Sequence, residues 1–213
     1  MTHEQWLDWW RTRAQTYFTD RVWSFSRPEL IRRLSIQRDT PVLEIGFGYG
    51  RELLQFCTLS DHVYGVELDV WTVEEAGRTF RSKGVQNPPT VAVYDGTTLP
   101  FTAGVFGVVY SCFVTQHVSR SAAEDLLAEA LRVCRPDGYV LFEYFGDPEC
   151  QSDTSDVYSG NPDDGGMYNN AYSENQVRNL GARRGNVQWV EPWRITSEWW
   201  NWWLCVQPKT TLR

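Results

Sequence analysis

One stretch of the chain, residues 42–51, limits the possible folds more than any other. It reads Val-Leu-Glu-Ile-Gly-Phe-Gly-Tyr-Gly-Arg, and the apolar run at its start predicts a buried parallel strand. Glycines at alternate positions follow, and the residues after them predict a helix. Glycine allows positive φ and lets the backbone approach a ligand closely, while a helix N-terminus offers unpaired N–H groups. The stretch therefore predicts either a ligand-binding loop between strand and helix or a tight turn that binds nothing.

Strand and helix patterns alternate from residue 41 onward, which predicts a doubly wound, mostly parallel sheet with right-handed crossovers. The predicted strands cover 41–46, 62–68, 90–94, 107–113, 139–144, 186–191 and 199–206, and the predicted helices cover 50–59, 72–82, 122–133 and 173–180. Ser121 and Ser173 are the predicted N-caps of the last two helices. The final strand is apolar on both faces, so we expect it inside the sheet.

The length of 213 residues suits one domain with a full core. We expect a helical cap, a core, a loop or lid insertion and a C-terminal part, which cover residues 1–38, 39–145, 146–172 and 173–213. In the cap, Trp6, Trp9 and Trp10 recur at helical spacing. The insertion is rich in Asp, Ser, Gly, Asn and Pro, and a loop of this length is typically a functional lid or disordered.

Charge and cysteine usage narrow the classes of partner and compartment. The net charge of −7 and the pI near 5.0 disfavour a partner that is mainly phosphate backbone, and no Lys/Arg cluster offsets them. Five scattered cysteines without a C-x-x-C pair favour reduced thiols over disulfides or a zinc site. No secretory leader pattern is present, and the longest apolar stretch, 105–114, is too short to span a bilayer. We expect a cytoplasmic protein without a nucleic-acid, membrane or metal partner.

Acidic residues stand at the carboxyl ends of the predicted strands, where open α/β sheets bind ligands. Glu67 ends the second strand about 20 residues beyond the first glycine, the spacing of a ribose-binding acid. Asp69 is the neighbouring candidate, although it also suits the N-cap of the next helix. Asp95 ends the third strand and precedes Gly96.

The decapeptide at 42–51, together with these acids, resembles the first motif of the class I S-adenosylmethionine-dependent methyltransferases. Its spacing, E-x-G-x-G-x-G from Glu44, differs from the G-x-G-x-x-G of dinucleotide dehydrogenases, and an acid there suits a ligand with an amino group. The resemblance covers roughly residues 40–208. It implies a Rossmann-like, doubly wound α/β fold with seven strands, the last of them antiparallel, an N-terminal helical cap, and S-adenosylmethionine as cofactor.

The resemblance also assigns a role to each strand end. Glu67 would accept hydrogen bonds from the ribose hydroxyls, Leu68 would cover one face of the adenine, and Asp95 would accept from the adenine amino group. Ser111 stands where a backbone carbonyl receives the methionine ammonium. The implied cofactor-binding residues are Glu44, Gly46, Phe47, Gly48, Gly50, Glu67, Leu68, Asp95, Gly96, Ser111 and Tyr17, the last if the cap closes as a lid rather than packing on the sheet edge.

Two positions depart from the family pattern. The family often has Asp after the aromatic residue of strand four, and here the residue is Gly107. In the turn before strand five, Asp137 replaces the first glycine of a Pro-Gly-Gly sequence. The family's Asp in strand four is usually structural, so its replacement by Gly107 does not argue against cofactor binding, and the second glycine of the turn is kept as Gly138.

The implied chemistry needs an acceptor held in line with the S–CH₃ bond at about 3 Å, and a base only if the nucleophile is protonated. His117 follows strand four at the pocket mouth and is the candidate catalytic base. Local packing is the alternative role for this histidine. Glu143 and Tyr144, which end strand five, either face the substrate or form a buried hydrogen-bonded pair.

We predict methyl transfer to an O or N atom of a small-molecule acceptor. The tryptophans of the cap and the acidic loop 147–164 favour an aromatic or cationic acceptor. Alternatively, the tryptophans are core packing or a homodimer interface. A non-catalytic S-adenosylmethionine-binding protein is the first rival, and an NAD-dependent Rossmann oxidoreductase is disfavoured by the glycine spacing and Asp95. The acceptor, the choice of O or N, and the oligomeric state are left open.

Overall fold

A computed structural model of the protein describes residues 27–146, 170–194 and 200–209. The predicted cap before Arg27, with its tryptophans and Tyr17, lies outside the described residues. Residues 147–169 of the predicted insertion lie outside them too, as does Trp199. The end of the cap is described, and there Pro28 begins helix α1 (Pro28–Arg33), in which Leu30 and Ile31 are buried.

Alternation of strand and helix is confirmed by the observed elements. The strands are β1 (Val42–Ile45), β2 (Val63–Glu67), β3 (Thr90–Val93), β4 (Phe106–Ser111), β5 (Cys134–Gly146), β6 (Asn186–Arg194) and β7 (Trp200–Gln207). After α1, the helices are α2 (Arg51–Phe56), α3 (Val70–Ser82), α4 (Arg120–Val133) and α5 (Glu174–Arg184), with a 3₁₀ turn at Thr115–His117.

The strands form a seven-stranded sheet of order β3-β2-β1-β4-β5-β7-β6. The pairs among β1 to β5 are parallel, whereas β7 runs antiparallel to both of its neighbours, β5 and β6. The predicted Rossmann-like sheet with an antiparallel last strand is therefore confirmed. β7 lies inside the sheet, as its two apolar faces indicated, and Trp203, Leu204, Cys205 and Val206 are completely buried.

Helices cover both faces of the sheet, so the described part has three layers. We call the face under α1, α2 and α3 the α2 face; its core includes Val42, Phe56, Tyr110 and Trp203. The opposite face packs against α4 and α5 through another buried cluster. Within the described ranges, no helix is long and apolar enough to cross a membrane.

The start of α4 corrects one prediction. Ser119, not Ser121, caps this helix, because the Ser119 side chain accepts a hydrogen bond from the Ala122 amide at 3.2 Å. Ser121 lies inside the helix. The other predicted cap is confirmed: Ser173 caps α5 in a reciprocal capping box with Gln176.

The turn predicted before strand five is a bulge within β5. Phe106 pairs with Cys134 and Val108 with Tyr139, so residues 135–138 stand opposite Gly107 alone. A Cβ on Gly107 would lie 2.6 Å from Thr40 Cγ2 and 3.2 Å from Arg135 Cζ. This crowding explains why the chain has glycine where the family often has aspartate.

Candidate active site

The sequence-predicted site residues on β1, β2, β3 and β4 meet at one edge of the sheet. Ile45 pairs with Val66 on one side and with Ser111 on the other, so these three residues lie side by side across the sheet. Because parallel strands end at the same edge, the residues that follow them form one continuous rim. This rim begins at Gly46.

The glycine loop requires glycine for two separate reasons. Gly46, Gly48 and Gly50 all have positive φ, at 70°, 54° and 79°. There is also no room for a side chain at its ends, since a Cβ on Gly46 would lie 2.3 Å from Val114 Cγ2. Phe47 is buried and packs against Gly65, so it offers only its backbone to a ligand at the loop. The loop thus presents bare backbone at the rim.

Glu67 holds the loop to the end of β2. One carboxylate oxygen accepts a hydrogen bond from the Gly48 amide at 3.0 Å, and the other accepts from the Leu68 amide at 2.8 Å. Burial raises the pKa of Glu67, and the two amide hydrogen bonds oppose that shift. Each oxygen keeps a lone pair that a ligand hydroxyl could use.

Asp69, the alternative ribose-binding acid, acts as the N-cap of α3. Its Oδ2 accepts from the amide and the hydroxyl of Thr72, at 3.1 and 2.9 Å. The side chain is buried in this role. The geometry therefore favours Glu67 as the acid that faces a ligand.

Asp95 and Gly96 form a tight turn beside Leu68. Asp95 Oδ1 accepts three hydrogen bonds, from the Thr97 amide and hydroxyl and from the Thr98 amide, and these bonds lower its pKa. A Cβ on Gly96, where φ is 83°, would lie 3.0 Å from Leu68 Cδ2. Leu68 thus adjoins Gly96, the residue after this exposed carboxylate.

Glu44 is a buried carboxylate directly before the loop. It is 4% exposed, and its Oε2 has no hydrogen-bond partner among the described residues. Burial and the nearby Glu52 carboxylate raise its pKa well above the usual range, while the Arg51 guanidinium opposes the shift. Ser111 pairs with the next residue, Ile45, and its hydroxyl donates to the Ile45 carbonyl at 3.1 Å. An unsatisfied buried carboxylate at this point fits the ammonium group of S-adenosylmethionine.

His117 ends the 3₁₀ turn that follows β4. Burial lowers its pKa to about 4, so the imidazole is neutral at pH 7. Its Nε2 lies 3.3 Å from Gln116 Nε2. Within the described ranges, His, Cys, Asp and Glu side chains form no group of three or more that could hold a metal ion.

Glu143 and Tyr144 are both completely buried, on opposite faces of β5. Glu143 accepts hydrogen bonds from the Phe113 amide at 2.8 Å and from the Asn201 side-chain amide. Sequence reasoning missed Asn201. The signal for it was a lone polar residue within the tryptophan-rich sequence Trp-Trp-Asn-Trp-Trp.

Comparisons with known proteins agree with the fold described above. Residues 43–142 match the family model described as a methyltransferase domain. An S-adenosylmethionine-dependent methyltransferase from Methanosarcina mazei superposes with a TM-score of 0.69 at 16% identity, over 88% of this chain and 99% of that one. One from Aquifex aeolicus gives 0.67 at 15% identity, over 92% and 97%. No curated protein matches the sequence.

A third solved structure shares the fold and was determined with a cofactor product. It is the geranyl diphosphate C-methyltransferase from Streptomyces coelicolor, in complex with Mg²⁺, geranyl diphosphate and S-adenosyl-L-homocysteine. Its TM-score is 0.64 at 13% identity, over 85% of this chain and 79% of that one.

Residues 43–142 thus match a methyltransferase domain, and the described sheet has the fold of S-adenosylmethionine-dependent methyltransferases, which supports S-adenosylmethionine as the cofactor. The resemblance drawn from the glycine loop and the strand-end acids is thereby confirmed. The roles of the individual site residues stay predictions.

Proposed function

We propose that the protein transfers the methyl group of S-adenosylmethionine to an O or N atom of a small-molecule acceptor by in-line displacement. The observation that carries this proposal is the unsatisfied buried carboxylate of Glu44 beside a positive-φ glycine loop. When bound, the cofactor supplies an activated methyl group on its sulfonium, and the residues below hold and orient its parts.

Each strand end binds one part of the cofactor. Glu67 accepts from the ribose hydroxyls with the lone pairs that the Gly48 and Leu68 amides leave free. Asp95 Oδ1 is engaged in its turn, so its Oδ2 is the oxygen that accepts from the adenine amino group. Glu44 and the Ser111 carbonyl take the methionine ammonium. Tyr17, outside the described residues, is proposed to close the site from the cap.

His117 is the proposed base where the acceptor must lose a proton. Its low pKa keeps it neutral and able to accept a proton at pH 7, although it makes the imidazole a weaker base than a solvent-exposed histidine. An acceptor that reacts without a base would leave His117 with a packing role.

The proposed class of acceptor rests on the charge and composition of the chain. The net charge of −7 favours a small molecule over nucleic acid, and the cap tryptophans favour an aromatic or cationic one. A structural neighbour methylates carbon by its name, so the fold by itself does not determine the acceptor atom. The scattered cysteines support a cytoplasmic location. In a homodimer, the tryptophans near the two ends of the sequence would instead lie at the subunit interface.

Calorimetric titration with S-adenosylmethionine and S-adenosylhomocysteine tests the proposal, on wild type, Glu67→Ala and Glu75→Ala. Glu75 is a matched control because its side chain is 35% exposed and pairs with Arg78 on the same helix, α3. We expect micromolar binding that Glu67→Ala weakens at least about tenfold and Glu75→Ala leaves unchanged. Binding that survives Glu67→Ala would contradict the ribose assignment. Turnover of any acceptor would exclude a non-catalytic role.

A further inference from the structure

Glu143 and Asn201 form a buried polar pair that the cofactor assignment does not use. Glu143 is completely buried in β5, and Asn201 is 1% exposed in β7. The Asn201 side-chain amide donates to one carboxylate oxygen of Glu143, and the Phe113 amide donates to the other at 2.8 Å. Both side chains lie on the α2 face of the sheet.

This pair is linked to the segment that follows β4, next to the predicted methyl-transfer position. Ser111 pairs across the sheet with Phe142, the residue before Glu143. The Thr115 hydroxyl donates to the Glu143 carbonyl at 2.8 Å, and Thr115 begins the turn that ends at His117. Glu143 is therefore held against the segment that carries the candidate base.

Two buried polar atoms at this pair lack partners. Asn201 Oδ1 and Trp203 Nε1 have no hydrogen-bond partner among the described residues, although both residues are at most 1% exposed. Trp203 stands directly opposite Glu143 in the β5–β7 register. Leaving one buried polar group unsatisfied costs about 1–3 kcal/mol, so two at one place indicate a site whose ligand completes the hydrogen bonds.

Aromatic rings and a second carboxylate surround the pair. Tyr110 stacks on Trp203 with ring centroids 5.5 Å apart. Two half-buried rings, Trp193 and Phe113, lie 6.0 Å from each other, and Trp193 lies 6.2 Å from Trp203. The charge that the structure places near Glu143 is the Glu52 carboxylate, which together with burial raises the pKa of Glu143. The Glu52 carboxylate repels an anionic ligand here, whereas a bound cation is attracted and favours the ionised form of Glu143.

We propose that Glu143 and Asn201 anchor an amino group of the methyl acceptor, and that the acceptor is an arylalkylamine, in which an alkyl chain joins the amino group to an aromatic ring. This inference rests on the proposed methyl transfer and names its substrate class. An amino group donates to both the Glu143 carboxylate and Asn201 Oδ1, and the ring attached to it packs against the half-buried Phe113 and Trp193. The Trp203 indole N–H donates to a polar atom elsewhere on the same ligand.

The test compares paired probes that differ only in the amino group. Phenethylamine, tyramine and tryptamine are titrated against ethylbenzene, 4-ethylphenol and 3-ethylindole, with and without saturating S-adenosylhomocysteine. For at least one pair, we expect wild type to bind the amine at least about tenfold more tightly than its counterpart. Glu143→Gln and Asn201→Ala should both remove that preference and leave the affinity for S-adenosylhomocysteine unchanged.

Glu174→Gln is the control, because Glu174 is exposed at the start of α5 and pairs with Arg178. If Glu143→Gln does not fold, Asn201→Ala carries the test, since it leaves the carboxyl group in place. Equal binding of amine and counterpart in every pair would overturn the proposal, as would a preference that both variants keep. Failure of the proposed methyltransferase function would show separately, as absent binding of S-adenosylhomocysteine in wild type.

Discussion

The carboxylate of Glu67 accepts a hydrogen bond at 3.0 Å from the amide of Gly48, a residue 19 positions earlier in the chain. The same side chain that faces the predicted ribose therefore also holds the glycine loop. A variant of Glu67 could therefore lose cofactor affinity for either of two reasons: the loss of a direct contact with the ribose, or the loosening of the glycine loop. Stability measured without cofactor separates these two effects.

Replacement of Glu67 by glutamine is expected to destabilise the protein before any cofactor is added. The glutamine NH₂ group would face one of the two backbone amides that the carboxylate oxygens now satisfy. A buried N–H left without an acceptor costs about 1–3 kcal/mol. Urea unfolding of Glu67→Gln without cofactor measures this cost, and Glu75→Gln is the matched control. Unchanged stability in Glu67→Gln would mean that the loop does not depend on this carboxylate.

Gly46→Ala and Gly84→Ala form a pair that separates backbone strain from steric overlap. Both glycines have positive φ, at 70° and 62°, but a Cβ on Gly84 meets nothing within 4 Å, whereas one on Gly46 would lie 2.3 Å from Val114 Cγ2. Strain alone costs about 1–2 kcal/mol. We expect Gly84→Ala to lose about that much stability and keep its cofactor affinity, and Gly46→Ala to lose more stability and bind S-adenosylmethionine poorly. Equal losses in chemical denaturation would contradict the overlap.

Asp95→Asn tests the adenine assignment without removing the turn. The asparagine carbonyl can replace Oδ1, which accepts from the Thr97 and Thr98 amides, so we expect the melting temperature to change little. Its NH₂ group would then stand where Oδ2 accepts from the adenine amino group. We expect S-adenosylmethionine affinity to fall about tenfold, as for one lost hydrogen bond to a charged group. Calorimetry on Asp95→Asn and Asp95→Ala would refute the assignment if neither variant bound more weakly.

Glu143 makes stability depend on pH in a defined window. Burial raises its pKa from 4.5 to about 8, so the folded protein binds a proton that the unfolded chain has lost between those values. Stability therefore falls as pH rises from 4.5 toward 8, by on the order of a few kcal/mol. Glu143→Gln should flatten this fall. Urea midpoints of wild type and Glu143→Gln are measured across pH 5–8. His117 titrates in both proteins, so its contribution cancels in the difference between their midpoints. Identical profiles would rule out a raised pKa at Glu143.

Much of the fold followed from local patterns. Local sequence patterns predict the alternating strands, the helix after the glycine loop and strand β7, which is apolar on both faces. A parallel sheet then brings the ends of its strands to one edge. For this reason Glu67, Asp95 and Ser111 could be placed together before any coordinates. The cap of α4 was misplaced by two residues, because Ser119 and Ser121 are chemically equivalent candidates in the sequence.

The sequence by itself determined the fold class and the rim of strand-end residues, because these depend on spacing along the chain, and its resemblance to a known family implied the cofactor. Tertiary structure alone decided which buried groups meet. Asn201 donates to Glu143 across 58 positions, and Gly107 is confined by Thr40 and the β5 bulge. It also decided the direction of each pKa shift, since desolvation depends on what packs around a group and not on its neighbours in sequence. The pair on which the proposed acceptor site rests therefore forms only when β5 and β7 lie side by side.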